Sequence, residues 1–442
     1  MGGNVLVSPE EPTILASVTE FPLLREFRER APRTGAPEHS TERVAAEVRE
    51  AWVRSDSAAL HTAGRRLFRS PGASGLAREA LALGDLAAGR LGPPPTGMSV
   101  RWAADPLLWL APHLVPELLG EEFGTYRTCA ALLERLRSRG FPEGRGDDRA
   151  LRGEQGGQDS SGRALPATLG QLTSSGVALG RWSAATDHAA EGLALARLGG
   201  HAIEVAGLLA QLAWIAAARG RVADCRRLAA EADAIATPKG CRLITAIIKW
   251  ALGLLDLTLG HPACALDRLA PLASSSGSTP VLLLATGDLV EAAACCGRPA
   301  AAEPLLAQLD RWVELAGPAW ALATTFRCRA LLASGDEAEI CFQAALEAGG
   351  SVRPFAHART ELDYGAWLRR HRRWTQARTC LRAALETFER LGAWPWAERA
   401  RTELLAAGAS ARWPEGHGIW PHDRGAGAHW GGGVRPAARG RC

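Results

Sequence analysis

Six short segments carry the architecture: Leu179-Gly180-Arg181-Trp182, Arg219-Gly220-Arg221-Val222, Leu259-Gly260-His261-Pro262, Cys296-Gly297-Arg298-Pro299, Ser334-Gly335-Asp336-Glu337 and His371-Arg372-Arg373-Trp374. Each follows one apolar helical stretch and precedes another, and their second residues are spaced 40, 40, 37, 38 and 37 positions apart. A fixed period of this size marks a helical solenoid, in which each unit is a helix-turn-helix that buries its apolar face only against its neighbours. Shortly after the turn stand Ala185, Cys225, Ala265, Ala302 and Ala377, with Ile340 the exception. A small side chain there lets the second helix of a unit lie close to the first. In the first helix, Gly253 and Gly365 occupy one common position ahead of the turn.

On either side of these turns the helical period is clearest in the last full pair. Ala377, Leu381, Ala384, Leu385, Phe388 and Leu391 share one helical face, while Arg378, Arg382, Glu386 and Glu389 face water. A closing helix over Pro395 to Ala407 has proline at its start and Gly408 at its end. Upstream, helices are expected over Thr41–Arg54, Ala58–Phe68, Gly75–Leu91 and from Gly120 to about Arg139. Residues 142–162, PEGRGDDRALRGEQGGQDSSG, are polar, Gly-rich and aperiodic, so they read as a flexible insertion. The expected organisation is a partly disordered segment over 1–40, a repeat array over 41–408 and a disordered tail over 409–442.

Of the 442 residues 47% are apolar and 22% charged, enough to bury a large core. Lysine occurs only at Lys239 and Lys249, so 49 of the 51 basic residues are arginine. The net charge of +4 is small for the length and the arginines are interspersed with acids, which gives nucleic-acid binding no support. The ten cysteines are scattered, mostly within apolar helical stretches, and read as reduced, buried thiols. Glu10, Glu11 and Glu20 stand where a signal peptide needs an apolar core, and no apolar run is long enough to span a bilayer. The expected location is the cytoplasm, with no membrane partner.

Motifs for chemistry are scarce. A P-loop needs Gly-Lys-Ser/Thr, but Lys239 follows Pro238 and Lys249 follows Ile248. There is no GxSxG elbow and no zinc-spaced Cys-x-x-Cys. His417, His422 and His429 lie in an aperiodic stretch without groups to orient them, and read as disordered side chains rather than metal ligands. No catalytic, cofactor-binding or metal residue is assigned, and no cofactor is expected. The candidate partner-binding residues are Tyr364, Trp367, Arg369, Arg370 and Arg373. With Arg372, these arginines form the densest basic cluster, which either holds an acidic group or is a solvated turn at a helix C-terminus. Trp214, Trp250, Trp312, Trp320 and Trp367 fall on apolar helix faces, where core packing competes with a role in a ligand-binding groove.

The small residue after the turn, and the glycines before it, resemble the tetratricopeptide repeat. The expected fold is therefore all-α, a right-handed α-solenoid of tetratricopeptide-like helix pairs. The blocks 358–370, 377–393 and 395–400, together with 250–257 and 288–293, resemble the helical region of large ATP-binding LuxR-type transcriptional regulators. The resemblance covers about 165–408. It implies three parts: a nucleotide-binding module, this helical arm that receives the signal or partner, and a helix-turn-helix that binds DNA. The lysine pattern leaves no ATPase here, and after Gly408 the periodicity that a helix-turn-helix would show is missing. The tail is expected to be an out-of-frame reading of a lost domain.

The expectation is thus a signal- or partner-binding arm, not an enzyme, that takes a protein or small effector on its concave face. DNA would be reached only through a missing domain or a partner chain. A self-standing tetratricopeptide adaptor and a regulator that binds DNA through an unrecognised element are the rival readings.

Overall fold

The computed structural model describes residues 41–68, 74–92, 114–138, 157–275, 277–350 and 352–408. The expected disorder at 1–40, the tail at 409–442 with its three histidines, and most of the insertion lie outside these residues. Among the described residues the fold is all-α. In chain order the helices are α1 Thr41–Val53, α2 Ser57–Leu67, α3 Ser74–Ala87, α4 Val115–Leu119, α5 Glu122–Ser138, α6 Gly157–Ala178, α7 Trp182–Leu198, α8 Ala202–Ala218 and α9 Val222–Ala236. They continue as α10 Arg242–Thr258, α11 Pro262–Leu269, α12 Thr279–Cys295, α13 Glu303–Ala316, α14 Ala319–Leu332, α15 Gly335–Gly349, α16 Pro354–Arg370, α17 Trp374–Leu391 and α18 Trp394–Ala406. Residues 157–162 of the expected insertion are the start of α6, a correction to its boundary. Their sequence lacks apolar period, the only signal by which a helix there would have been legible.

The recurring turn has one physical form at five of its six places, whereas Gly335 is the first residue of α15. Its second residue takes a left-handed backbone: φ is 68° at Gly180, 74° at Gly220, 79° at Gly260, 64° at Gly297 and 60° at Arg372. The next residue then donates its N–H to a carbonyl five positions back, as from Arg181 to Gly176 (2.8 Å) and from Arg373 to Leu368 (2.9 Å). This closes the helix C-terminus and turns the chain sharply. The same motif occurs between pairs, at Gly200, Gly240 and Gly392, so the repeat of about 40 residues is two nearly equal halves. Arg372 is exposed and is the non-glycine member of the set. Arg372→Gly removes the side-chain cost of the left-handed backbone and is expected to raise stability by about 1 kcal/mol, read as a higher urea midpoint with an unchanged slope.

The small-residue position is buried as expected, with Ala185, Cys225, Ala265, Ala302 and Ala377 all at 0% exposure. Ile340 is 66% exposed because the register of α15 differs; Ala338, two residues earlier, takes the buried place. The close approach also explains two glycines. A Cβ on Gly253 would lie 2.5 Å from Leu269 Cγ, and one on Gly365 would lie 2.6 Å from Leu381 Cγ.

Consecutive helices pack side by side from α1 to α3 and from α4 to α18, and the even-numbered helices α6 through α18 also pack on one another in a continuous row. The row curls until its end meets its beginning. Phe355 of α16 lies 5.2 Å, ring to ring, from Trp182 of α7 and 5.8 Å from Trp214 of α8. Trp396 of α18 donates to Thr258 Oγ1 at the end of α10 (3.1 Å), and Arg219 Nε donates to the Leu391 carbonyl (3.2 Å). The short helix α4 fills the curl from one side, its Leu118 carbonyl accepting from Trp312 Nε1 (3.1 Å) and Trp320 Nε1 (3.2 Å). Among the described residues no helix is long and apolar enough to cross a membrane.

Candidate functional site

The inner faces of α6, α8, α10, α12, α14 and α16, with α4 and the start of α5, enclose a cavity of about 230 Å³. Most of its wall is apolar, and Trp214, Trp250, Trp320 and Phe355 supply the aromatic part. Trp214 stands edge-on to both Trp182 and Trp250, with centroids 5.9 and 5.6 Å apart, an arrangement favoured by the ring quadrupoles. A concave, aromatic-rich space with a few convergent polar groups is the usual form of a small-molecule site.

At one end of the cavity six charged side chains meet. Asp288 and Glu291 lie one turn apart on α12, Arg327 comes from α14, Arg359 and Asp363 from α16, and Arg399 from α18. Arg327 Nη2 is 2.6 Å from Glu291 and 2.7 Å from Asp363. Arg359 is 2.5 Å from Asp288 and also pairs with Glu291, while Arg399 lies 3.7 Å from Glu291. Trp250 Nε1 donates to the other oxygen of Asp288 (2.6 Å). Arg327 and Arg359 are each 5% exposed and Glu291 is 3% exposed. Burial alone would push the Glu291 carboxyl up, but the charges of Arg359, Arg327 and Arg399 outweigh it and hold the group well below the usual carboxylate range. The Arg359 and Arg399 guanidinium carbons lie 4.6 and 4.5 Å from the centre of the Trp396 ring, so the cluster is roofed by an aromatic face.

At the other end stand Glu117 of α4 and Glu122 of α5. Glu117 Oε1 accepts from Ser175 Oγ (3.0 Å) and Gln171 Nε2 (3.4 Å). Glu122 Oε1 accepts from Arg353 Nε (2.9 Å), and Arg353 also donates to the Glu117 backbone carbonyl. Burial, reinforced by the Glu122 charge, raises the Glu117 carboxyl to about 7. His357, on the cavity wall, is held below its ordinary value by burial.

The structure sets the expected partner-binding residues apart from this cavity; none of the five lines it. Tyr364 and Trp367 are 6% and 8% exposed. Their rings stack 6.1 Å apart, and Trp367 lies 3.8 Å from the His371 ring. Tyr364 donates to Glu339 (3.2 Å), which also pairs with Arg373. Arg369 pairs with Glu403 (2.5 Å), and Arg370 is exposed. Tyr364, Arg369 and Arg373 therefore tie α16 and the start of α17 to α15 and α18. Trp214, Trp250 and Trp320 do reach the cavity, whereas Trp312 is a buried anchor for α4. Sequence reasoning missed Glu117, Glu122, Asp288, Glu291, Arg327 and Arg359. The available signal was a charge inside an otherwise apolar run, most visibly in LLLATGDLVEAAA over 282–294.

Among the described residues no cluster of His, Cys, Asp and Glu is arranged to hold a metal ion. No family model matches this chain, and no curated protein matches it.

Proposed function

We propose that this chain is the effector-binding arm of a LuxR-type regulator. Its helix pairs stack as a right-handed tetratricopeptide-like solenoid, and a small molecule sits inside the curl. The observation that carries the reading is the cavity, whose walls come from inner helices spanning most of the repeat array. A ligand there touches elements distant in sequence, so its binding free energy stabilises the curled arrangement over any looser one. That coupling is what a signal-receiving arm requires, and the residue blocks that resemble such regulators cover the same helices. On this reading the arm works in the cytoplasm and meets DNA only through another domain or a partner chain.

The test is a melting screen of the full chain against a library of small metabolites. A true ligand at 100 times its Kd stabilises by about 2.7 kcal/mol and gives a clear upward shift in melting temperature. Ala323→Phe, which fills the cavity from α14, is expected to keep the fold and abolish that rise. A library without a stabilising compound, or a rise that survives Ala323→Phe, sinks the proposal.

A further inference from the structure

The α4 end of the cavity holds acceptor atoms that no side chain satisfies. Glu117 and Glu122 are 4% and 1% exposed, and both line the cavity. In each, Oε1 is hydrogen-bonded while the buried Oε2 has no partner. Buried carboxylate oxygens are ordinarily bonded, and both residues are among those that line the cavity. The nearby wall is aromatic, and it already takes a cation: the Arg353 guanidinium carbon lies 4.5 Å from the centre of the Trp320 ring. The other arginines at the cavity, Arg327 and Arg359, bridge to Glu291, Asp363 and Asp288, so their charges are matched within the chain. A volume of about 230 Å³ admits a body of about one ring with a short polar arm, not a peptide or a nucleotide.

We infer that the cavity takes a small organic cation, a primary amine on a compact apolar body, with its ammonium on Oε2 of Glu117 and Glu122 and its body against Trp214 and Trp320. This rests on the effector-binding reading and specifies its ligand class. An ammonium offers three donors, enough for both free oxygens, and the indole faces favour the adjoining carbons.

Phenethylamine, 2-phenylethanol and phenylacetate share one body and differ in charge. Titrated into the full chain at pH 8 and followed by tryptophan fluorescence, phenethylamine is expected to bind at least tenfold more tightly than either of the others. Glu117→Gln and Glu122→Gln are each expected to weaken it at least tenfold with unchanged far-UV circular dichroism. Going from pH 8 to pH 6 should weaken it about tenfold, as the Glu117 carboxyl, raised to about 7, takes up a proton. Of the groups bordering Glu117, Cys129 of α5 is pushed up to about 12 by burial and stays a thiol, Gln171, Ser174 and Ser175 of α6 carry no charge, and Glu122 is paired with Arg353. Equal or tighter binding of the alcohol or the acid overturns the charge assignment and leaves the effector cavity standing. Failure of all three probes to bind overturns the assignment too, and the library melt then decides the broader reading on its own. Undiminished phenethylamine binding by the folded Glu117→Gln chain also overturns it.

Discussion

Glu291→Gln is expected to lower stability at pH 7 by about 3–5 kcal/mol, measured from urea unfolding. Glu291 is the shared acceptor of Arg327 and Arg359 in a region from which water is nearly excluded, and it lies 3.7 Å from the partly exposed Arg399. The amide keeps the shape and removes the charge, so the guanidinium groups lose their central counter-ion while remaining buried. The pH dependence follows from the direction in which the carboxyl is moved. The folded state holds the Glu291 carboxyl below its unfolded value, so its contribution is full above the ordinary glutamate pKa of about 4.3 and is lost as pH falls toward the folded value. The deficit of the variant therefore shrinks as the chain is acidified below that point. A loss under 1 kcal/mol at pH 7, or one that stays constant into the acid range, would show that the cluster does not hold the curl together.

The opposite sign is expected at the other end of the cavity. Glu117 has its folded-state pKa raised from 4.5 to about 7, chiefly by burial, so the folded chain binds this proton more tightly than the unfolded chain does. Folding is then most favourable below pH 4.5, weakens as pH rises through the interval to about 7, and changes no further above it. The full penalty is about 3 kcal/mol, since each tenfold gain in proton affinity on folding corresponds to about 1.4 kcal/mol. Glu117→Gln is neutral at every pH and escapes it. The variant should equal the parent below pH 4.5 and exceed it by up to about 3 kcal/mol above pH 7. Paired urea titrations at pH 4 and pH 8 check this, and a variant no more stable than the parent at pH 8 refutes it. A residue whose removal stabilises the chain but weakens amine binding carries the usual signature of a site kept for function rather than for fold.

Much of the helical framework could be read residue by residue. The turns at Gly180, Gly220, Gly260 and Gly297, and even the one at Arg372, stand where the spacing places them, because a left-handed C-terminal residue is a local requirement. The turns at Gly200, Gly240 and Gly392 escaped notice because the residues after them, His201, Cys241 and Ala393, share no pattern. The tryptophans of the cavity could be placed on apolar faces, yet nothing in those faces separates Trp250, which lines the cavity, from Trp312, which anchors α4. The arginines around 369–373 looked like a binding surface because the acids that neutralise two of them, Glu403 and Glu339, lie 34 positions away in each case.

Helix propensity, apolar period and turn chemistry act over a few residues, so the order of amino acids was enough to make the chain helical and to stop most of its helices where they stop. That the row of inner helices curls back on itself emerges only in three dimensions, since small rotations between successive pairs accumulate and no single unit encodes their sum. That closure brings Arg359 to Asp288 across 71 positions and Arg353 to Glu122 across 231. Each charge by itself looked like an ordinary polar residue on a helix. Only their convergence inside the curl, out of reach of water, turns them into a charged floor and an acidic end for one cavity.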